Sequence, residues 1–133
     1  MVGSSLAAHI SHPGGYQGNE KKFLIAFDFD YTIIDANSDV EIQKMHISGP
    51  IPERLKVVAK EQGWTMYMQE VFRYHYTNDV TEADFDRVIH YLPFVSGIKE
   101  CFHEIHALGG ELIVISDANT YFIKSFLKHH DVR

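Results

Sequence analysis

The stretch Phe23-Leu24-Ile25-Ala26-Phe27-Asp28-Phe29-Asp30-Tyr31-Thr32 runs from five apolar residues straight into two carboxylates placed two positions apart. Five apolar residues are too few to cross a membrane. Without strict alternation, they predict a strand buried on both faces, of the kind found in parallel sheets covered by helices. In such sheets ligands sit at the carboxyl ends of the strands, where Asp28 and Asp30 fall. The same pair is also compatible with a plain strand end that opens a solvated loop.

A second element of this type lies near the other end of the chain. Ile98, Cys101, Phe102, Ile105 and Leu108 recur at helical spacing, Gly109-Gly110 stops the helix, and Glu111-Leu112-Ile113-Val114-Ile115 reads as a second buried strand. It too ends in polar residues, Ser116-Asp117-Ala118-Asn119, before a helix expected over 120–129. Cys101 is expected on the apolar face of its helix.

Between the two strands the pattern is helical. Asp35-Ala36-Asn37-Ser38-Asp39 leads into a helix expected over 39–47, and Gly49-Pro50 punctuates it. Pro52 suits the start of the next helix, where its missing N–H does no harm. A longer helix is expected over 65–76, and Thr81 with Asp84 forms a near capping box ahead of Phe85, Val88, Ile89 and Leu92. The expected organisation is a flexible leader over 1–20, a partial α/β core domain from 21–35 and 94–133, and a helical cap insert over 36–93. His9 and His12 of the leader read as polar residues rather than metal ligands.

Composition narrows the function. The chain has 133 residues, 45% hydrophobic and 13% aromatic, enough for a folded core but short for a complete two-domain enzyme. A formal charge of −6 argues against nucleic acid as a partner, because such affinity rests on Lys and Arg. No apolar stretch or signal sequence points to a membrane, and the single cysteine fits a reducing, cytoplasmic setting. Histidines 75, 90, 103, 106, 129 and 130 form no metal-ligand spacing.

Two strands ending in Asp28/Asp30 and Ser116/Asp117 on one sheet edge suit phosphoryl transfer. An aspartate can attack phosphorus to form an aspartyl-phosphate. A second acid can protonate the leaving oxygen and then activate water. Carboxylates facing a phosphate dianion repel it by about 4 kcal/mol per pair at ~4 Å and an effective dielectric near 20, so a divalent cation is needed. An all-oxygen site favours Mg²⁺. Ser116 and the N–H groups about Asp117 to Asn119 can hold phosphoryl oxygens; Ser116 and Asn119 can equally be turn and N-cap residues.

Asp28-Phe29-Asp30-Tyr31-Thr32 matches the Asp-x-Asp-x-Thr motif of the haloacid-dehalogenase-like phosphatases, and Ile115-Ser116-Asp117 resembles their second motif. With Asp35-Ala36-Asn37-Ser38-Asp39, Tyr67-Met68-Gln69-Glu70-Val71-Phe72 and Ala118-Asn119-Thr120, the chain from about residue 22 resembles the phosphoethanolamine/phosphocholine phosphatase family, which includes pyridoxal-phosphate phosphatases. The resemblance implies an α/β fold, a three-layer Rossmann-like parallel sheet, here partial, with a helical cap inserted after the first strand. It implies Asp28 as nucleophile and Mg²⁺ ligand, Asp30 as general acid/base reaching the metal through its carbonyl, Thr32 as loop support, Ser116 as phosphoryl ligand, and Asp39 and Asp117 as substrate contacts. Its expected partner is a small phosphomonoester: phosphoethanolamine, phosphocholine or pyridoxal phosphate.

By itself Asp39 reads as the N-cap of the first insert helix, and Trp64, Tyr67, Tyr74 and Tyr76 read first as cap packing, with a cation–π role as the alternative. The family's later lysine and Gly-Asp-x-x-x-Asp motif are absent, Lys124 and Lys128 coming too early. The chain therefore reads as a C-terminally truncated phosphatase with weak activity and an exposed last strand. Alternatives are a catalytically incomplete paralogue that binds a ligand or partner, and a receiver-like domain, against which the insert and the Asp28/Asp30 pair argue.

Overall fold

The computed structural model describes residues 6–10, 22–45 and 49–132. Their architecture is mixed α/β, with the helical segments falling between and after the strands. Strand β1 is Leu6–Ile10, β2 is Phe23–Phe27 and β3 is Gly110–Ser116, arranged in one sheet in the order β1-β3-β2. Strands β2 and β3 are parallel, with Phe23 opposite Gly110 and Phe27 opposite Val114. This brings the carboxyl ends of the two motif-bearing strands side by side.

Two expectations need correction here. Leu6–Ile10, placed by sequence in a flexible leader, is a strand paired antiparallel to β3, with Leu6 opposite Ser116 and Ile10 opposite Leu112. The other leader residues, His12 among them, lie outside the described residues. Strand β3, expected to be an exposed last strand, is therefore central, its two edges hydrogen-bonded to β1 and β2.

The face shared by Ile25, Phe27, Leu112 and Val114 packs on the helices. The phenyl ring of Phe27 meets that of Phe102 edge-on, centroids 5.1 Å apart. Gly110 sits where a Cβ would fall 2.4 Å from the Phe23 ring and 2.7 Å from Ile105, so the close helix approach requires glycine. On the opposite face Leu24 is 59% and Ile115 46% exposed. Among the described residues, β2 is thus not buried on both faces, and the third layer is not seen.

Helices α1 (Ser38–Gln43), α2 (Glu53–Gln62), α3 (Trp64–Thr77) and α4 (Glu82–His90) fill the segment between β2 and α5 (Ile98–Ala107), and α6 (Thr120–His129) follows β3. The local reasons are chemical. Asn37 Oδ1 accepts the Val40 N–H at 3.1 Å to start α1, and Asp84 Oδ2 accepts the Thr81 N–H at 2.8 Å to start α4. Between α2 and α3, Gly63 takes φ 88°, which favours glycine and turns the chain sharply enough to place Trp64 at the head of α3. Helix α1 stops at Gln43, short of the expected 47.

One buried cluster joins the sheet, α1, α4, α5 and α6 through Phe29, Ile42, Ile89, Phe102 and Phe126; the α2–α3 hairpin has a smaller one of Leu55, Tyr67, Met68 and Val71. On α5 the stripe is Ile98, Phe102 and Ile105. Cys101 and Leu108, both expected on that stripe, are exposed because they sit roughly 70–90° round the helix from its centre. The two ends of the insert run together, Asp35 N–H donating to Pro93 O at 2.8 Å and Val95 N–H to Ile33 O at 2.9 Å. No described helix is long and apolar enough to cross a membrane.

Candidate active site

Beyond β2 the chain folds tightly around Phe29. Its carbonyl accepts the N–H groups of Thr32, Ile33 and Ile34 at 3.2, 2.9 and 3.2 Å, with Tyr31 at φ 56° in the left-handed region. Such a conformation in a bulky residue costs energy and persists only where its surroundings impose it. The Phe29 ring is fully buried and meets the ring of Phe126 on α6 at 5.7 Å. Because Phe29 is fixed, the acids on either side of it are fixed too.

Those acids differ. Asp28 is exposed, and its Oδ1 accepts the Phe29 N–H at 2.6 Å. Asp30 is half-buried, and its Oδ1 accepts the Ser38 N–H at 2.9 Å, across to the first residue of α1. Burial pushes the Asp30 carboxyl above the usual carboxylate range; the Ser38 hydrogen bond opposes this, and the charges of Asp39 and Asp28 add to it. A group that must give and take a proton is helped by such a shift.

At the end of β3, Ser116 is buried and its Oγ accepts the Ala118 N–H at 3.1 Å. Asn119 Oδ1 accepts the Tyr121 N–H at 2.8 Å, so Asn119 is the N-cap of α6. Both polar residues therefore do the turn-and-cap work that their positions suggested. Thr32 contributes its backbone to the Phe29 turn.

Asp39 is not the N-cap of α1, a role held by Asn37. Its Oδ2 instead accepts the indole N–H of Trp64 at 2.8 Å. Burial raises its pKa, the Trp64 hydrogen bond opposes, and the negative charge of Asp117 raises it further. Asp39, Asp117 and Asn119 share the wall of a cavity of about 330 Å³ with Trp64, Met68 and Phe72. Asp28, Asp30 and Ser116 lie outside that wall and connect to it through the Asp30–Asp39 interaction and the adjoining strand ends.

The cap-side wall was only partly legible in sequence. Trp64, Thr65, Met68, Gln69 and Phe72 fall at helical spacing on one side of α3. The missing signal was Gln43, whose Nε2 donates to the Asp39 carbonyl at 3.2 Å and whose Oε1 accepts from the Tyr67 hydroxyl at 2.7 Å. Among the described residues, no group of three or more His, Cys, Asp or Glu side chains converges as a metal site.

Residues 23–133 match the family described as Putative Phosphatase, and the chain belongs to that family. It is 34% identical over 116 residues to the human "Phosphoethanolamine/phosphocholine phosphatase", covering 84% of this chain and 43% of that protein. It is 36% identical over 116 residues to the human "Pyridoxal phosphate phosphatase PHOSPHO2" and 35% over 113 residues to the "Probable phosphatase phospho2" of Xenopus tropicalis, covering 84% of this chain and 48% of each. The chain thus spans a little under half the length of these curated relatives. No solved structure matches it.

Proposed function

We propose that this chain carries the nucleophile half of a Mg²⁺-dependent phosphomonoesterase working through an aspartyl-phosphate. The supporting observation is the parallel pairing of β2 with β3, which puts Asp28 and Asp30, just beyond β2, at the same sheet edge as Ser116 and Asp117 at the end of β3, with Asp39 sharing a cavity wall with Asp117. Carboxylates gathered there disfavour a phosphate dianion unless a cation is bound with it.

The donor set fits Mg²⁺, which takes oxygen ligands and is commonly held by one or two carboxylates together with waters and substrate phosphate rather than by an all-protein cage. Asp28, through its side chain, and Asp30, through its carbonyl, would hold it. Bound there, the metal would neutralise charge on the phosphoryl oxygens. Exposed Asp28 attacks phosphorus and the bond to the leaving oxygen breaks, while half-buried Asp30 delivers the proton to that oxygen. Asp30 then takes a proton from the water that attacks the aspartyl-phosphate, releasing phosphate and restoring Asp28. Ser116 and the N–H groups at the start of α6 orient the phosphoryl oxygens, and Thr32 supports the loop.

The relatives' names point to phosphoethanolamine, phosphocholine or pyridoxal phosphate as substrate. Asp39, Asp117 and Asn119 line the cavity that would take the remainder of the molecule. In this reading residues 21–35 and 94–133 belong to the catalytic domain and 36–93 to its cap. The open Leu24 face of the sheet is where the third layer of a Rossmann-like domain would pack. A cytoplasmic setting goes with the lone cysteine.

The test is phosphorylation of the chain by acetyl phosphate with Mg²⁺, read by intact-mass spectrometry and peptide mapping. A Mg²⁺-dependent adduct on Asp28 is expected, absent in Asp28→Asn and slower to hydrolyse in Asp30→Asn by a factor of about 10²–10⁴. No adduct on the wild-type chain, or an adduct that survives Asp28→Asn, would favour the alternative of a binding paralogue without turnover.

A further inference from the structure

Helices α4 and α6 meet along two rows of side chains set one turn apart, Asp86 and His90 on α4 and Tyr121, Ser125 and His129 on α6. The Tyr121 and Ser125 hydroxyls both donate to Asp86 Oδ1, at 2.8 and 2.6 Å, and the Ser125 bond holds the Asp86 carboxyl below the usual carboxylate range. Asp86 is therefore an acceptor only. With the one hydroxyl hydrogen of Ser125 committed to it, the Ser125 oxygen accepts from His90 Nε2 at 2.8 Å. Histidine can make that donation whether neutral or charged, so the frame holds in either state. The His90 ring in turn stacks on that of His129, centroids 3.9 Å apart and planes 6° from parallel.

This frame borders an open cavity of about 500 Å³, within the size range of small-molecule sites. Lys124 and Lys128, one turn apart on α6, complete its wall, and among the described residues neither has an ion-pair partner. Two lysines against one carboxylate leave the wall net positive, the reverse of the chain's formal charge of −6. Asp28, Asp30, Ser116 and Asp117 take no part in it. Lys128 stands roughly 13 Å farther along α6 than Asn119, which lines the cavity at the strand ends.

We propose that the α4–α6 cavity is a second anion site, for a phosphoryl dianion that is either inorganic phosphate or the phosphate of a small metabolite. Lys124 and Lys128 supply two positive charges for two negative ones. His129, braced by the stack, carries an N–H in every protonation state and adds a donor beside them. Because the lysines lie on α6 and His90 on α4, a bound anion fastens the insert to the helix that begins at the strand-end site. The assignment is independent of the phosphomonoesterase reading.

The test is calorimetric titration of inorganic phosphate, glycerol 3-phosphate and acetate into the 133-residue chain in EDTA at low ionic strength. Without a divalent cation the carboxylates beyond β2 and β3 disfavour a dianion, so binding under these conditions reports the α4–α6 cavity. One saturable site for phosphate is expected, and none for acetate over the same range. The tighter of inorganic phosphate and glycerol 3-phosphate identifies the source of the phosphoryl group. The ring signals of His90 and His129 in nuclear magnetic resonance should shift as the site fills. Replacing both lysines, Lys124→Gln with Lys128→Gln, should weaken phosphate binding by about tenfold or more. Lys60→Gln, which removes an equal charge from α2, should leave it unchanged.

The absence of a saturable phosphate site, equal binding of acetate, or an unaltered affinity in the double lysine variant would overturn the proposal. So would phosphate binding that leaves the His90 and His129 signals unmoved. Both lysines are exposed, so their replacement spares the core, and circular dichroism verifies that the variant is folded. Phosphate binding in EDTA by a chain that forms no Asp28 adduct refutes the phosphomonoesterase reading alone. An Asp28 adduct without phosphate binding in EDTA refutes the second anion site alone.

Discussion

The carboxylate of Asp30 receives the backbone N–H of Ser38 across 2.9 Å, tying the proposed acid/base at the end of β2 to the first turn of the insert. The bond adds a direct polar link between two parts of the chain that also share one buried cluster through Phe29 and Ile42. Movement of α1 would change both the position of Asp30 and the ease with which it ionises.

That coupling has a pH signature. The pKa of Asp30 and of Asp39 is raised in the folded chain, by burial first, so the fold binds more protons than the unfolded chain in the window just above their ordinary pKa of 3.8. Their contribution to stability therefore falls as pH rises through that window and stays unfavourable at neutral pH. Asp30→Asn and Asp39→Asn should each raise the Tm at pH 7 in calorimetry without metal. That gain should vanish as the pH approaches 4. Millimolar Mg²⁺ should raise the wild-type Tm and have a smaller effect on Asp28→Asn.

Phe29 supplies a second prediction. Its fully buried ring against Phe126 anchors the turn that carries both acids. Phe29→Ala should cost about 3–5 kcal/mol in denaturant unfolding, enough to unfold a marginal domain. Phe29→Leu should be milder and leave a folded chain, and a reduced Asp28 phosphorylation rate in it would expose the loss of position. A loss under 1 kcal/mol for the alanine variant would show that the ring is not the anchor.

His75 gives a prediction of opposite sign to Asp30. It is fully buried on α3, with its ring edge-on to Phe85, and burial lowers its pKa despite the opposing Ile42 carbonyl; neither ring nitrogen makes a hydrogen bond of normal geometry. A base whose pKa is depressed on folding binds fewer protons than in the unfolded chain. The folded state therefore loses stability as pH falls through 6.5, until the lowered pKa is passed. His75→Phe should flatten the fall in Tm between pH 7 and 5. An unchanged slope would place the acid sensitivity elsewhere.

Much of the fold could be read from local chemistry. Strand β2, the α4 cap and the start of α6 follow from apolar runs and capping residues that act within a few positions. The side of the sheet that stays open could not be read so, because Leu24 and Ile115 look like core residues until their neighbours are known. The antiparallel pairing of Leu6–Ile10 is likewise a contact between distant segments, preceded by a stretch whose glycine and serine suggest no order. At the site, Asp28, Asp30 and Ser116 announce themselves by ending apolar strands. The Trp64–Asp39 bond does not, since donor and acceptor lie on different helices and neither residue signals the other.

The pairing of Phe27 with Val114 closes a loop that contains the whole insert. Loop closure of this kind costs entropy before any contact repays it, and such pairings form slowly. The α2–α3 hairpin, with its own small core, can collect its contacts locally and early. Asp28 and Asp30, just beyond β2, and Ser116, at the end of β3, come to one sheet edge only when the long closure succeeds. Assembly of the proposed site should therefore be among the last events of refolding, and in hydrogen exchange the amides at the ends of β2 and β3 should open together.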